Sequence, residues 1–320
     1  MLNTFQFHGY PNVNQDHNVM NVQHSFVKKT KLFSLVNQLS LLVGYDPKWH
    51  IAWVYRKFSI LKSYPIINRK SILYSVEGLN ELILAPQELE YSNSIKKSFQ
   101  FYLGLSIYEK RVDNLIDEAF ENSFVNLIKD CRIKKQKILY CAFGSYFHGK
   151  HQHKLIAGFC LTLISALYNL TGIRIILSIN QTIIDSLRKV INKPENFYYY
   201  TRVNQIQVLN EVDLFITHGG LGSIKEGINY SVPMVVYPVD KQWDQVGNGA
   251  KVEFHKIGLK GDIINDEPLT VRKTILRVLN DISYKENIIK MKQTIDENYN
   301  IDLLKEKIYT SLNIFTDENK

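Results

Sequence analysis

The stretch FITHGGLGSIKEG, from Phe215 to Gly227, decides how the second half of this 320-residue chain is organised. It begins with an apolar segment that is typical of a buried strand, and it continues through a turn rich in glycine. It then passes into a segment with the composition of a helix. A strand, a tight turn and a helix in that order form part of a βαβ unit. The stretch therefore predicts a parallel sheet with helices packed against it.

The same alternation extends to both sides, from about residue 135 onward, just after the basic stretch RIKKQK. The segments predicted to be strands are KILYCAFG, IRIILSI, NFYYYTRV, DLFITH and PMVVYPV. The segments predicted to be helices between them are HKLIAGFCLTLISALYNL, TIIDSLRKVI, QIQVLNEV and SIKEGINY. The tail from Glu267 to Leu312 is also predicted to be helical. Together these elements predict a doubly wound α/β domain over residues 135–320.

Residues 1–134 are less regular and are predicted to form a separate N-terminal domain. Its first 25 residues are rich in Asn, Gln and His, which predicts a loop. Residues 80–86 and 98–107 are predicted to be strands, and residues 112–128 a helix.

The composition is that of a soluble globular protein with room for two domains. No apolar run reaches the roughly 18 residues of a transmembrane helix, and the chain does not open with a secretory signal pattern, so we expect a cytoplasmic protein. The odd number and the spacing of Cys131, Cys141 and Cys160 predict reduced, buried thiols. The net charge of +8 favours anionic partners, but the lysines are scattered, so nucleic acid is not an expected partner.

Three polar segments follow strands of the second domain. They are Gly144 with Ser145, residues 218–223 and residues 240–248. In an open parallel sheet, ligands bind beyond the carboxyl ends of the strands, where helix N-termini present free amides. Glycine lets the backbone approach a ligand closely, and the partial positive charge of a helix start favours an anion. A phosphate group fits this edge of the sheet.

The middle segment carries hydrogen-bond donors for phosphate and an acceptor for hydroxyl groups. His218 can donate from its ring, and Ser223 from both its hydroxyl and its amide. Glu226, three residues after Ser223, projects from the same end of the helix and can accept hydrogen bonds from two sugar hydroxyls. These groups indicate a nucleotide with a ribose. The alternative is that Ser-x-x-Glu is only a capping box and the histidine an ordinary polar residue.

The segment from Asn204 to Asn248 resembles the nucleotide-sugar signature of the UDP-glycosyltransferase family: NQIQVLNEVDLFITHGGLGSIKEGINYSVPMVVYPVDKQWDQVGN. The resemblance implies an α/β protein of the GT-B type, with two Rossmann-like doubly wound domains, the N-terminal one incomplete here. It implies an inverting, metal-independent glycosyltransferase that moves a hexose from a nucleotide sugar to a hydroxyl of a small-molecule or lipid acceptor.

The donor and acceptor are the expected partners. Because Glu226 would bind ribose, the donor is expected to be a UDP-sugar, which is a co-substrate, and neither a cofactor nor a metal site is expected. A lipid acceptor would imply peripheral association with a membrane.

The resemblance also assigns roles to individual residues of the second domain. Gln205 matches a glutamine against the base and ribose, His218 a histidine on the donor phosphate, and Glu226 the ribose-binding glutamate. Asp244 and Gln245 match an Asp-Gln pair that binds sugar hydroxyls. The residues that match the surroundings of the diphosphate are Gly144, Ser145, Gly219, Gly220, Gly222 and Ser223.

The chain departs from the family pattern near the base and near the sugar. Arg202 stands where many members have a tryptophan that stacks on the base, so Tyr199, Tyr200 or the Arg202 guanidinium would take that role. Asn204 replaces the family's proline, and two additional residues separate Pro238 from the Asp-Gln pair.

The general base of the family is a histidine near the start of the first domain, which deprotonates the acceptor hydroxyl. His8 and His24 are the candidates in this chain, and the alternative is that both are solvated loop residues. If neither histidine is the general base, a second hypothesis applies. The chain would be a truncated, catalytically impaired relative that only binds nucleotide sugar or needs a complementing N-terminal part.

Overall fold

The computed structural model contains two parallel sheets, each in its own compact unit. The units comprise Met1–Gly104 with Asn298–Lys320, and Leu105–Glu297. The residues that the structure describes are 6–8, 80–92, 96, 98–109, 115–144, 150–168, 170–240, 244–300 and 302–306, with 6–8 and 150 described by their backbone alone.

The first unit contains a three-stranded parallel sheet in the order β1-β2-β3. Its elements are β1 (Gln6–His8), β2 (Glu81–Ile83), a 3₁₀ helix (Gln87–Leu89) and β3 (Gln100–Tyr102). The strands predicted at residues 80–86 and 98–107 are confirmed, each as a shorter strand. The loop predicted for the first 25 residues is wrong at β1, because pairing with β2 gives this polar segment the backbone hydrogen bonds of a strand.

The chain returns to the first unit at Asn298, and Tyr299 contacts other residues of that unit. Its hydroxyl accepts a hydrogen bond of 3.0 Å from the backbone amide of Gln87, and Asn298 donates one of 2.7 Å to Glu88. The Tyr299 ring lies against Gly104, where a Cβ atom would come within 2.7 Å of it. Gly104 also has φ +66°, so both its conformation and its surroundings favour glycine.

The second unit is built on six parallel strands in the order β6-β5-β4-β7-β8-β9. The strands are β4 (Lys137–Ala142), β5 (Ile173–Ser178), β6 (Phe197–Tyr200), β7 (Leu214–Thr217), β8 (Met234–Val236) and β9 (Gly258–Lys260). The helices are α1 (Glu118–Ile133), α2 (Lys150–Leu167), α3 (Gln181–Val190), α4 (Gln205–Leu209), α5 (Leu221–Asn229), α6 (Gln245–Phe254), α7 (Pro268–Asn280) and α8 (Ile282–Asn298). The strand order reverses between β4 and β7, and such a switch point leaves a crevice for ligands at the carboxyl ends of the strands.

The predicted alternation of strands and helices is confirmed in this unit, but two elements were missed. β9 contains only Gly258, Leu259 and Lys260, too few residues for a periodic pattern. α6 carries Gly247 and Gly249, and each glycine lowers the helix propensity by about 1 kcal/mol relative to alanine.

The sheet of the second unit is covered on both faces. Leu139 and Cys141 of β4 lie in a large apolar cluster, whereas the intervening Tyr140 points to the opposite face. There Tyr140 stacks on Phe215 of β7, with ring centroids 5.0 Å apart. The three cysteines are free and buried, as predicted. Of the helices that the structure describes, none is both long and apolar enough to cross a membrane.

Helix α1 packs with the second unit, although it precedes the domain boundary expected near residue 134. Asp117 caps the helix and ties it to the end of β6: one carboxylate oxygen accepts from the Ala119 amide, and the other from the amide and hydroxyl of Thr201, each at 2.9 Å. Burial opposes ionisation of Asp117, but these hydrogen bonds outweigh it and lower the pKa of the carboxyl. The domain assignment stays a prediction; the structure groups residues 105–134 with the second unit.

Candidate functional site

The turn after β7 presents backbone amides at the carboxyl edge of the sheet. Gly220 is the N-cap residue of α5, and no described side chain caps the helix there. Gly219 adopts φ +85°, and its amide donates to the Thr217 hydroxyl at 3.3 Å. The first amides of a helix have no partner within the helix, and together with the helix dipole they attract an anion. The turn is therefore suited to a phosphate group.

The capping-box alternative does not describe this turn. A capping box has Ser or Thr at the N-cap and Glu or Gln three residues later. In α5 the N-cap is Gly220, so Ser223 is the third helical residue and Glu226 the sixth. Ser223 and Glu226 are therefore available for contacts other than helix initiation.

His218 lies between two glycines that leave no room for a side chain. A Cβ atom at Gly144 would come within 2.8 Å of His218 Cε1, and one at Gly220 within 2.6 Å of Nε2. Gly144 follows β4, whereas His218 and Gly220 follow β7. The structure therefore brings together three predicted site residues from the two strands that flank the switch point.

The pKa of His218 is lowered from its usual 6.5 to about 4, because burial disfavours the charged ring. The negative charge of Asp244 acts in the opposite direction but is the smaller effect. At neutral pH the imidazole is therefore uncharged, with one nitrogen that donates and one that accepts. A neutral ring can still donate one hydrogen bond to a phosphate oxygen.

This lowered pKa predicts a pH dependence of folding stability. The unfolded chain takes up a proton at His218 near pH 6.5, whereas the folded chain takes it up near pH 4. Stability from this group is therefore complete above pH 6.5 and is lost as the pH falls toward 4, by up to about 1.4 kcal/mol per pH unit. Urea unfolding of the wild type and of His218→Gln between pH 4 and 7 tests this. The variant should show a shallower slope, and equal slopes would contradict the assignment.

Asn248, for which the sequence alone predicts no individual role, links the polar segment after β8 to the glycine turn by hydrogen bonds. Its side chain is 1% exposed, and its Nδ2 donates to the Gly219 carbonyl at 2.7 Å and to Asp244 Oδ2 at 3.0 Å. Asp244 is thereby held next to the turn that carries His218. The signal in the sequence was weak, since Asn248 is one of several polar residues in DKQWDQVGN.

Gln245 orders the loop that precedes α6. Its Oε1 accepts hydrogen bonds from the backbone amides of Val239 and Asp240, at 2.9 and 3.0 Å. The side chain is buried, and this contact uses its carbonyl oxygen within the protein. The role of Asp244 and Gln245 toward sugar hydroxyls stays a prediction, since the residues between Asp240 and Asp244 lie outside the described ranges.

Two predicted site residues, Glu226 and Gln205, form a series of hydrogen bonds with Tyr140. Glu226 is 7% exposed, and its Oε2 accepts a hydrogen bond of 2.5 Å from Gln205 Nε2. Gln205 Oε1 in turn accepts one of 3.0 Å from the Tyr140 hydroxyl. The sequence predicts only a position in a buried strand for Tyr140. A buried tyrosine hydroxyl usually finds a partner, but the sequence could not show which one.

Two of the three candidates for stacking on a base are occupied inside the protein. The Tyr200 hydroxyl shares a hydrogen bond of 2.8 Å with Ser123, and its ring meets Phe120 edge to face. Tyr199 packs on the apolar cluster, and burial raises its pKa to about 12. Arg202 is exposed in the loop just before α4. It is the candidate whose position suits contact with a ligand beside Gln205.

Three predicted site residues cannot be placed by their side chains. Ser145 and His24 lie outside the described residues, and His8 is described only as the last backbone position of β1. Their roles, including that of the general base, stay predictions.

Comparison with known proteins gives a consistent result for the second unit. Residues 176–304 match the family described as "UDP-glucoronosyl and UDP-glucosyl transferase". The chain is 34% identical over 122 residues to the UDP-glucosyltransferase YdhE of Bacillus subtilis (strain 168), which is 38% of this chain and 30% of YdhE. It is 30% identical over 197 residues to the UDP-glucosyltransferase YojK of the same organism, which is 61% of this chain and 42% of YojK.

Most of the chain is also similar in fold to a solved structure. The glycotransferase of kitacinnamycin superposes with a TM-score of 0.57 at 21% identity, covering 88% of this chain and 66% of that one. The chain thus shares a fold with that protein, while it matches less than half the length of YdhE and of YojK.

Proposed function

We propose that this chain, whose residues 176–304 match the UDP-glycosyltransferase family and which has the GT-B fold, binds a UDP-sugar and transfers the hexose to a hydroxyl group. The acceptor in this proposal is a small molecule or a lipid. The observation that carries the proposal is that α5 begins at the turn that carries His218 and also bears Glu226, which accepts a hydrogen bond from Gln205. One element then offers donors for a diphosphate and a carboxylate for a ribose.

The diphosphate would lie against the turn after β7. The uncapped amides of α5 and one ring nitrogen of His218 donate hydrogen bonds there, and the glycines let the backbone come close. Negative charge grows on the diphosphate as it leaves the sugar, and fixed donors stabilise that charge without rearranging. In this proposal the protein's own groups stabilise the leaving group, so transfer is independent of a metal ion.

The ribose would lie against Glu226. An ionised carboxylate can accept hydrogen bonds from two neighbouring hydroxyls in addition to the one from Gln205. This acceptor favours a ribonucleotide over a deoxyribonucleotide, and so UDP over dTDP.

Transfer would proceed by a single displacement with inversion. The acceptor oxygen forms a bond to the anomeric carbon on the face opposite the diphosphate, and the bond from that carbon to the diphosphate oxygen breaks. The acceptor proton passes to a general base. The proposal assigns that base to His8 or His24, and neither side chain is among those described.

Release of UDP tests the proposal. The purified chain is incubated with UDP-glucose and a mixture of hydroxyl acceptors in EDTA, and UDP is quantified. We expect release that depends on the acceptor and is unchanged by EDTA. Tight UDP binding without release would contradict transferase activity and support the alternative of a chain that only binds the donor. Absence of UDP binding would contradict both.

A further inference from the structure

We propose that Tyr140 is a positioning residue that acts through Gln205 to set the Glu226 carboxylate, and thereby sets the preference for ribonucleoside over 2′-deoxyribonucleoside diphosphates. The inference rests on the proposed function, because it assigns a specificity determinant to the same donor site. It concerns a strand residue in the sheet beneath the site, which need not touch the ligand.

The three side chains form a directed chain of hydrogen bonds. An ionised carboxylate can only accept, so Gln205 must present its Nε2 to Glu226, at 2.5 Å. The Gln205 amide then presents its Oε1 to the Tyr140 hydroxyl, which donates at 3.0 Å. Each group in the chain is thereby oriented by its neighbour.

Tyr140 is the rigid end of this chain. Its side chain is 1% exposed, and its ring is stacked on Phe215 with an angle of 9° between the planes. The two residues are also direct partners in the pairing of β4 with β7. The hydroxyl is therefore held by the central strands of the sheet and has little freedom to follow a moving partner.

The orientation of the Glu226 carboxylate depends on such a fixed partner. The terminal torsion of a glutamate side chain has a broad energy profile, so an unsupported carboxylate can rotate. Two neighbouring hydroxyls of a ribose require a carboxylate in a defined plane, whereas one remaining hydroxyl can be met by many orientations. If Gln205 loses its hydrogen bond from Tyr140, the affinity for a ribonucleotide should therefore fall more than the affinity for a deoxyribonucleotide.

The test is calorimetric titration of the full chain with UDP and with dUDP, which differ only in the 2′-hydroxyl. The wild type should prefer UDP. In Tyr140→Phe we expect UDP affinity to fall about threefold to tenfold, the usual effect of losing one neutral hydrogen bond. The dUDP affinity should change less than twofold, so the ratio of the two affinities shrinks.

Two further variants separate positioning from general damage. Tyr237→Phe is the matched control, since it also removes a fully buried tyrosine hydroxyl, just after β8, but has no described link to Gln205. It should leave both affinities unchanged. Gln205→Met breaks the chain at its middle, and it should reduce the ratio even if Tyr140→Phe does not fold.

The outcomes are distinct. Equal weakening of UDP and dUDP in Tyr140→Phe, or an unchanged ratio in both Tyr140→Phe and Gln205→Met, would overturn the inference and leave the proposed function standing. A wild type that binds neither nucleotide would overturn the proposed function itself. The double variant Glu226→Ala with Tyr140→Phe should bind UDP with the same affinity as Glu226→Ala alone, because Tyr140 and Gln205 then have no carboxylate to position.

Discussion

Replacement of His218 by alanine should weaken UDP binding about 10-fold to 100-fold, because a hydrogen bond to a charged phosphate contributes about 1.5 to 3 kcal/mol. His218 lies between Gly144 and Gly220 at the switch point of the sheet. These glycines have no side chain, so they cannot supply the hydrogen bond that alanine at position 218 would lose. The measurement is isothermal titration calorimetry of the purified variant with UDP.

His255→Ala is the matched control for loss of a histidine. His255 lies at the C-terminal end of α6, where its ring meets Phe254 edge to face. This variant should bind UDP like the wild type. Wild-type affinity in His218→Ala would remove the histidine from the donor site.

Replacement of Gly219 by alanine should lower the free energy of unfolding by about 2 to 4 kcal/mol. Two effects add. The residue has φ +85°, a conformation that costs any residue with a Cβ atom, and that atom would lie 2.5 Å from Val236 Cγ1 and 3.1 Å from the Gln245 carbonyl oxygen. Urea unfolding followed by circular dichroism measures the loss.

Gly158→Ala is the matched substitution without either effect. Gly158 is an exposed residue within α2, and a Cβ atom there would meet nothing within 4 Å. Alanine should stabilise the helix by about 0.5 to 1 kcal/mol. If Gly219→Ala were as stable as Gly158→Ala, the tight packing of the turn against β8 and α6 would be wrong.

The sequence predicted five of the six strands of the second unit's sheet and most of its helices. Strands buried on both faces appear in a sequence as short continuous apolar runs, which the helices between them do not share. FITHGGLGSIKEG was identified as a strand, a turn and a helix, and the structure has β7, the turn and α5 there. The strand at Gln6–His8 was missed, because its polar residues take their order from pairing with β2, a partner more than 70 residues away.

The arrangement inside the site was only partly predictable. His218 and the glycines could be found because a strand end followed by glycines has a local pattern. Asn248 and Tyr140 could not, since their roles depend on hydrogen bonds to residues 29 and 65 positions away. For stacking on a base, the sequence does not distinguish Tyr199 from Tyr200; in the structure the Tyr200 hydroxyl shares a hydrogen bond with Ser123, and Tyr199 packs on the apolar cluster.

The most direct test of the central claim is titration of the full chain with UDP in the presence of EDTA. The proposed site predicts saturable binding of one UDP per chain, reduced at least tenfold in His218→Ala by loss of the phosphate contact. Absence of saturable binding, or equal binding by the wild type and His218→Ala, would contradict the assignment of a nucleoside diphosphate site to the turn after β7.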